Sequence, residues 1–133
     1  MGRRIVDTES MSWRSFPEAE GVRYKVLRHH KDRVGITLLL QFDAGASYPA
    51  HRHPEGEEYF VLEGSLEEAG VRYGTGSYVY HPPGSVHQPR SAAGCTLLIT
   101  LPAHIEPVVP KGGSAPDGDA ADGGAADGAA EDS

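Results

Sequence analysis

Cysteine is nearly missing from the sequence, since Cys95 is the single one among 133 residues. One cysteine cannot form a disulfide within the chain, which excludes a small secreted fold held together by such bonds. Cys95 opens the apolar run from Thr96 to Leu101. This setting predicts a small buried side chain rather than a reactive thiol.

Long apolar segments are missing as well. No stretch approaches the roughly 20 apolar residues that a helix needs to cross a bilayer. Near the N-terminus, Arg3 and Arg4 are followed by Asp7 and Glu9, where a secretory signal peptide would have an apolar stretch. The sequence therefore predicts a cytoplasmic protein with no membrane partner.

Basic residues are absent from the C-terminal segment Gly112–Ser133, which holds six of the 19 acidic residues. Residues 1–111 keep 12 basic and 13 acidic residues, so this part is nearly neutral despite the formal net charge of −7. A nearly neutral domain offers no basic face, and no nucleic-acid partner is expected.

The same C-terminal segment also lacks large apolar side chains and consists mainly of Gly, Ala, Asp and Ser. Such a composition cannot offset the loss of conformational entropy by burial, so the segment should be disordered. The length suits one domain. We therefore predict a flexible N-terminus (1–12), one folded domain (13–108) and a disordered acidic tail (109–133).

Between these ends the chain is a series of short strand-like segments. Strand patterns occur at residues 22–26, 34–42, 57–62, 65–68, 71–73, 78–80 and 95–101. Turn residues separate them at short intervals, among them the charged run Arg28–Arg33, and the spacing leaves no room for crossovers between parallel strands. The pattern predicts an all-β, single-domain antiparallel barrel or sandwich.

Two histidines one residue apart are the most informative feature of the sequence. On a strand, His51 and His53 would share one face, with Arg52 turned away. A turn at Pro54–Gly56 then leads to Glu57, and His87 follows a second turn at 82–84. Three imidazoles and one carboxylate form a mixed nitrogen and oxygen site that suits a divalent transition metal.

Other candidate ligands are less well placed. Glu58 is adjacent to Glu57 and should face the opposite way on a strand. His81 lies just before the proline turn and is a weaker candidate than His87. His104 lies outside the pattern and is expected to be exposed.

These residues resemble the two motifs of the cupin superfamily. The first motif corresponds to Gly45, His51, His53, Glu57 and Gly64, separated by five, one, three and six residues. The second corresponds to Gly76, Pro82, Gly84 and His87, separated by five, one and two residues, with Ser91 where the family often has Asn. The segments Gly56–Glu58, Val61–Gly64, Gly76–Tyr78, Pro82–His87 and Gly94–Cys95 are more narrowly similar to ChrR-like cupins. The resemblance covers roughly residues 13–101.

The resemblance implies a jelly-roll barrel with the metal ligands His51, His53, Glu57 and His87, and a homodimer. Zinc would fit a closed tetrahedral site. Iron, manganese, nickel or copper would leave coordination positions open. The sigma-binding domain of the anti-sigma relatives has no counterpart in the sequence, so anti-sigma activity is not expected.

Two functions follow from this resemblance. The first is a metal-binding module that takes up a small ligand in the barrel. The second is a metal-dependent dioxygenase for a diketone or aromatic substrate, with Tyr48, Tyr59 or Tyr80 lining its pocket. Because imidazoles ligate only when neutral, metal should be lost as the pH falls below about 6 in either case.

Overall fold

A computed structural model describes residues 2–108 of the chain. Apart from a 3₁₀ turn at Thr8–Ser10, the regular elements in this range are strands. They are β1 (Arg14–Phe16), β2 (Ala19–His29), β3 (Ile36–Phe42), β4 (Ala46–Ser47), β5 (His51–His53), β6 (Glu57–Glu68), β7 (Val71–Gly74), β8 (Tyr78–His81), β9 (Ser85–His87), β10 (Arg90–Ser91), β11 (Cys95–Leu101) and β12 (Glu106–Pro107). No helix in the described range is long and apolar enough to span a membrane.

All strand pairs are antiparallel, which confirms the predicted all-β fold. The larger sheet has the order β1-β2-β3-β11-β6-β10-β4, with β7 and β8 also paired to β6, and the smaller one has the order β12-β5-β9. Strand β6 pairs with β8 and β11 through its first half and with β7 and β10 through its second half. This long strand lets the sheet curl into a jelly-roll barrel.

The core lies inside the curled sheet and follows the two-residue period of the strands. On β3, Leu38, Leu40 and Phe42 are buried, and on β11 the inward positions begin at Cys95 and end at Leu101. Both strands were predicted from sequence, at residues 34–42 and 95–101. Cys95 is buried, as expected, and burial raises the pKa of its thiol to about 11.

Strand β6 contains a bulge that changes which side chains face inward. Thr96 of β11 pairs with Glu63, but the next residue pairs with Val61, so Leu62 is the extra residue on β6. On a regular strand, residues 57 and 68 would face opposite sides, because an odd number of steps separates them. The extra residue brings both side chains inside the barrel, where Glu57 and Glu68 are each 5% exposed.

Several strand boundaries differ from the sequence-based prediction, and β3 begins at Ile36 rather than at residue 34. Residues 57–62 and 65–68 form one continuous strand, because the bulge allows hydrogen bonding to continue through it. Strand β2 extends to His29, which lies in the segment Arg28–Arg33 that was predicted as a turn. The backbone of His29 pairs with that of Ile36. The predicted acidic tail at 109–133 lies outside the described residues.

Candidate metal centre

Two strands of the smaller sheet carry the three predicted histidines. His51 and His53 lie on β5, and His87 lies on β9 directly opposite His51. The two β5 histidines are 4% and 1% exposed. Arg52 between them turns outward and forms an ion pair with Glu106, as the two-residue period requires.

The three imidazole rings converge through their Nε2 atoms. Nε2 of His87 lies 2.8 Å from Nε2 of His53 and 3.0 Å from Nε2 of His51. An ion that holds each nitrogen at 2.0–2.1 Å sets two such nitrogens roughly 3 Å apart. The spacing of the rings therefore suits a shared metal ion.

The carboxylate of Glu57 lies beside these rings at the start of β6. Its Oε2 is 3.4 Å from His53 Nε2, and its Oε1 is 3.5 Å from His87 Nε2. Oε1 is buried and has no hydrogen-bond partner within the described part of the chain. The neighbouring Glu58 faces outward and accepts a hydrogen bond from the Tyr78 hydroxyl at 2.6 Å.

Hydrogen bonding around His51 shows why a cation fits this cluster. Its Nδ1 lies 2.8 Å from the carbonyl oxygen of Pro49, so in the neutral ring Nδ1 carries the hydrogen and Nε2 carries the lone pair. The lone pair of His51 therefore points at the other imidazoles. Nitrogen lone pairs at such distances repel each other unless one ring donates a hydrogen to the next, and a cation among them removes this repulsion.

Burial keeps the imidazoles neutral, which is the protonation state that binds metal. Burial, and secondly the charge of His87, lowers the pKa of His51 to about 3. Burial lowers the pKa of His53 to about 2, and the charge of His51 is the second cause. Burial and the nearby Glu68 raise the pKa of Glu57 well above its usual value. A bound cation would favour the ionised form of this carboxyl.

A second layer of side chains, not predicted from the sequence, lies behind His87. Oε1 of Glu68 is 3.0 Å from His87 Nδ1 and 2.9 Å from His81 Nε2, and Oε2 accepts a hydrogen bond from the Tyr59 hydroxyl at 2.6 Å. Burial acts to raise the pKa of Glu68, but His81, His87 and Tyr59 outweigh it and hold the pKa below its usual value. Glu68 is therefore a buried negative charge next to the histidine cluster.

His81 belongs to a second group of possible ligands. Donor atoms of Glu57, His81 and His87 all lie within 4.8 Å of one another, as do those of His51, His53 and His87. The sequence ranked His81 below His51, His53 and His87. Because Nε2 of His81 lies 2.9 Å from Oε1 of Glu68, we assign His81 to the second layer.

A small apolar cavity adjoins the histidine cluster. His51, Glu57 and His87 line one side, and core residues such as Leu40 and Ile99 line the other. The cavity has room for little more than one water-sized molecule. The remaining lining residues include Tyr48 and Tyr59, whereas Tyr80 is 59% exposed on the outer face of the barrel.

The depressed histidine pKa values predict that the metal-free protein loses stability in acid. Below the ordinary histidine pKa of about 6.5, the unfolded chain protonates His51 and His53 while the folded state does not. Each such group lowers the free energy of unfolding by about 1.4 kcal/mol per pH unit as the pH falls. The raised pKa of Glu57 opposes this trend above pH 4.5 and leaves a net loss. The lowered pKa of Glu68 adds to the loss below pH 4.5.

Urea unfolding of chelator-treated protein between pH 7 and pH 4 measures this effect. The free energy of unfolding should fall by about 1–3 kcal/mol per pH unit, with the steeper slope below pH 4.5. Replacing the exposed His104 with Ala serves as the control and should leave the slope unchanged. A stability that stays constant or rises from pH 6.5 to pH 5 contradicts the prediction.

Known proteins are similar to this chain in sequence and in fold. The profile of the ChrR cupin-like domain family matches residues 1–104. Over 58 residues the chain is 42% identical to the dimethylsulfoniopropionate lyase DddQ of Ruegeria pomeroyi, a match that covers 40% of this chain and 29% of the lyase. The chain thus matches less than a third of the length of that relative.

Two crystal structures illustrate the shared fold. An acetylacetone dioxygenase from Acinetobacter johnsonii superposes with a TM-score of 0.77 at 20% identity, over 85% of this chain and 83% of that chain. The Rhodobacter sphaeroides anti-sigma factor ChrR, in its complex with SigE, superposes with a TM-score of 0.61 at 26% identity, over 71% of this chain and 51% of that chain. The profile match covers most of the sequence, and the chain belongs to the ChrR cupin-like domain family.

Proposed function

We propose that this chain is a metal-binding cupin of the ChrR-like type, which holds one divalent transition metal, zinc or iron, and a small ligand inside the barrel. The proposed metal ligands are His51, His53, Glu57 and His87. The observation that carries the proposal is the convergence of three imidazoles, with the Nε2 atoms of His51 and His53 within 3.0 Å of His87 Nε2. An unpartnered oxygen of Glu57 lies beside them. When bound, such an ion supplies Lewis acidity to an oxygen ligand.

The charges of the surrounding side chains support a divalent ion. Two buried carboxylates, Glu57 and Glu68, lie in contact with the imidazoles. Neutral imidazoles contribute no charge, so a divalent cation balances both carboxylates when they are ionised. Burial of charge is costly unless it is paired in this way.

A second candidate function is a metal-dependent dioxygenase, and the adjoining cavity favours it. His51, Glu57 and His87 line the cavity, so a molecule inside would contact the proposed metal ligands. Its small size suits dioxygen rather than an aromatic substrate. The named activities of two similar proteins, acetylacetone dioxygenase and dimethylsulfoniopropionate lyase, also concern small acyclic molecules.

Metal analysis followed by activity assays separates these functions. Protein from its native host should contain about one equivalent of a divalent transition metal. Fe(II)-loaded protein is then tested for oxygen uptake with acetylacetone and simple phenols, and for anaerobic cleavage of dimethylsulfoniopropionate. Tight zinc binding without turnover supports the binding module, and oxygen uptake with a diketone supports the dioxygenase. Absence of bound metal after growth and reconstitution contradicts both.

We also propose that the chain acts in the cytoplasm as a homodimer, without a membrane or nucleic-acid partner. An apolar row on the outer sheet face supports the dimer. Leu39, Leu98, Phe60 and Tyr78 pair in register across β3, β11, β6 and β8. The last three are 36%, 40% and 60% exposed. Polar rows that include Thr96 and Thr100 flank the apolar row, which is the usual arrangement of an interface.

Leu98→Lys should shift such a dimer toward monomer, because it places a charge at the centre of this apolar row. Light scattering over a range of concentrations measures the molar mass. Val71→Lys is the matched control, since Val71 is 51% exposed on β7, outside the row, and its replacement should leave the mass unchanged. A monomeric unmodified protein, or a Leu98→Lys variant of dimeric mass, contradicts the proposed interface.

A further inference from the structure

The side chain of Glu68 contacts three donor groups although it is buried. It is 5% exposed, with Oε1 2.9 Å from His81 Nε2 and 3.0 Å from His87 Nδ1. The Tyr59 hydroxyl donates to Oε2 at 2.6 Å and fixes the carboxylate from the other side. Glu68 therefore has one hydrogen-bond donor and two imidazole nitrogens within 3.0 Å, which is the kind of surroundings that a buried carboxyl group needs.

The three histidines differ in what holds the nitrogen that points away from the cluster. Nδ1 of His51 is held by the Pro49 carbonyl at 2.8 Å. Nδ1 of His53 is buried and has no hydrogen-bond partner in residues 2–108. Nδ1 of His87 lies 3.0 Å from Glu68 Oε1 and has no other hydrogen-bond acceptor among the described residues.

We propose that Glu68 is a positioning residue, which accepts the Nδ1 hydrogen of His87 and so keeps the Nε2 lone pair of His87 directed at the proposed ion. This inference rests on the proposed metal-binding function. His87 is the ring whose Nε2 lies within 3.0 Å of both other Nε2 atoms. If His87 carried its hydrogen on Nε2 instead, it could not ligate from that atom.

The architecture of β6 makes this role possible. The strand supplies Glu57 beside the Nε2 atoms and Glu68 beside Nδ1 of the same histidine. Both face inward because of the bulge at Leu62, which restores the inward direction for the second half of the strand. Carboxylates that hold the outer nitrogen of a metal-bound histidine commonly raise metal affinity by fixing the ring and its tautomer.

Two measurements on the full chain test this role. In metal-free protein, the ¹⁵N resonances of His87 should show a hydrogen on Nδ1. In the Glu68→Ala variant this preference should be lost, and Zn²⁺ affinity from chelator competition should fall roughly 10–100-fold. Glu67→Ala is the control, because Glu67 is the adjacent residue on β6 and contacts Arg90 and the Ala92 amide instead; it should change neither measurement.

The possible results separate this inference from the function on which it rests. If the unmodified chain binds Zn²⁺ and Glu68→Ala binds it equally tightly, the positioning role is overturned and the metal-binding function stands. If the unmodified chain does not bind Zn²⁺, both are overturned. If Glu68→Ala does not fold, the His87 tautomer of the unmodified protein decides, since a hydrogen on Nε2 overturns the inference.

Discussion

His51→Ala should bind Zn²⁺ more than about 100-fold more weakly than the unmodified protein. Replacing a residue that only hydrogen-bonds to a metal ligand typically costs about 10–100-fold. The substitution removes one of three convergent Nε2 atoms, the one whose lone pair the Pro49 carbonyl directs inward. The remaining imidazoles and Glu57 leave the ion with one protein ligand fewer. Two neighbouring side chains are poor replacements, because Arg52 points outward and Nε2 of His81 faces Glu68.

His104→Ala is the matched control for this substitution. His104 is exposed and lies on neither β5 nor β9, so its removal should leave Zn²⁺ stoichiometry unchanged. Affinity is measured by competition with a chelator, metal content by elemental analysis, and folding by circular dichroism. A folded His51→Ala protein that retains one tightly bound equivalent of metal shows that the proposed ligand set is wrong.

The pairing of His51 with His53 could be predicted because its geometry is local. The side-chain period of a strand places His51 and His53 on one face whatever strand lies beside them. The same rule separates Glu57 from Glu58, which face inward and outward. The turn at 82–84 then brings His87 opposite His51 through strand pairing, which the motif spacing anticipated.

The position of Glu68 in the second layer depends on the β6 bulge, which the alternation of side chains alone does not reveal. Counting along β6 from Glu57 assigns Glu68 to the outer face, because the count assumes a strand without a bulge. The bulge reverses this assignment. The sequence does carry a signal in Gly64, since a glycine inside a strand pattern often marks a bulge or a close backbone approach.

Gly64→Ala should prevent or severely weaken folding, because two independent constraints require glycine at this position. Its φ of +78° lies in the left-handed region, which costs an alanine about 1–2 kcal/mol. A Cβ at residue 64 would also lie 2.0 Å from the carbonyl oxygen of Gly94 and 2.8 Å from Cα of Cys95. These are backbone atoms, so the contact is relieved only by moving β11 away from β6.

Gly70→Ala is the matched control, because it introduces the same backbone strain without a steric clash. Gly70 has a nearly identical φ of +81°, but a Cβ there meets no other atom within 4 Å. The control should therefore lose only about 1–2 kcal/mol, whereas Gly64→Ala should lose more than about 4 kcal/mol, a value seen only when a specific structural constraint is broken. Urea unfolding measures both free energies. Because the bulge directs Glu68 inward, a Gly64→Ala protein that still folds should also bind Zn²⁺ more weakly. Equal stabilities of the two variants would show that β6 and β11 do not approach as closely as described.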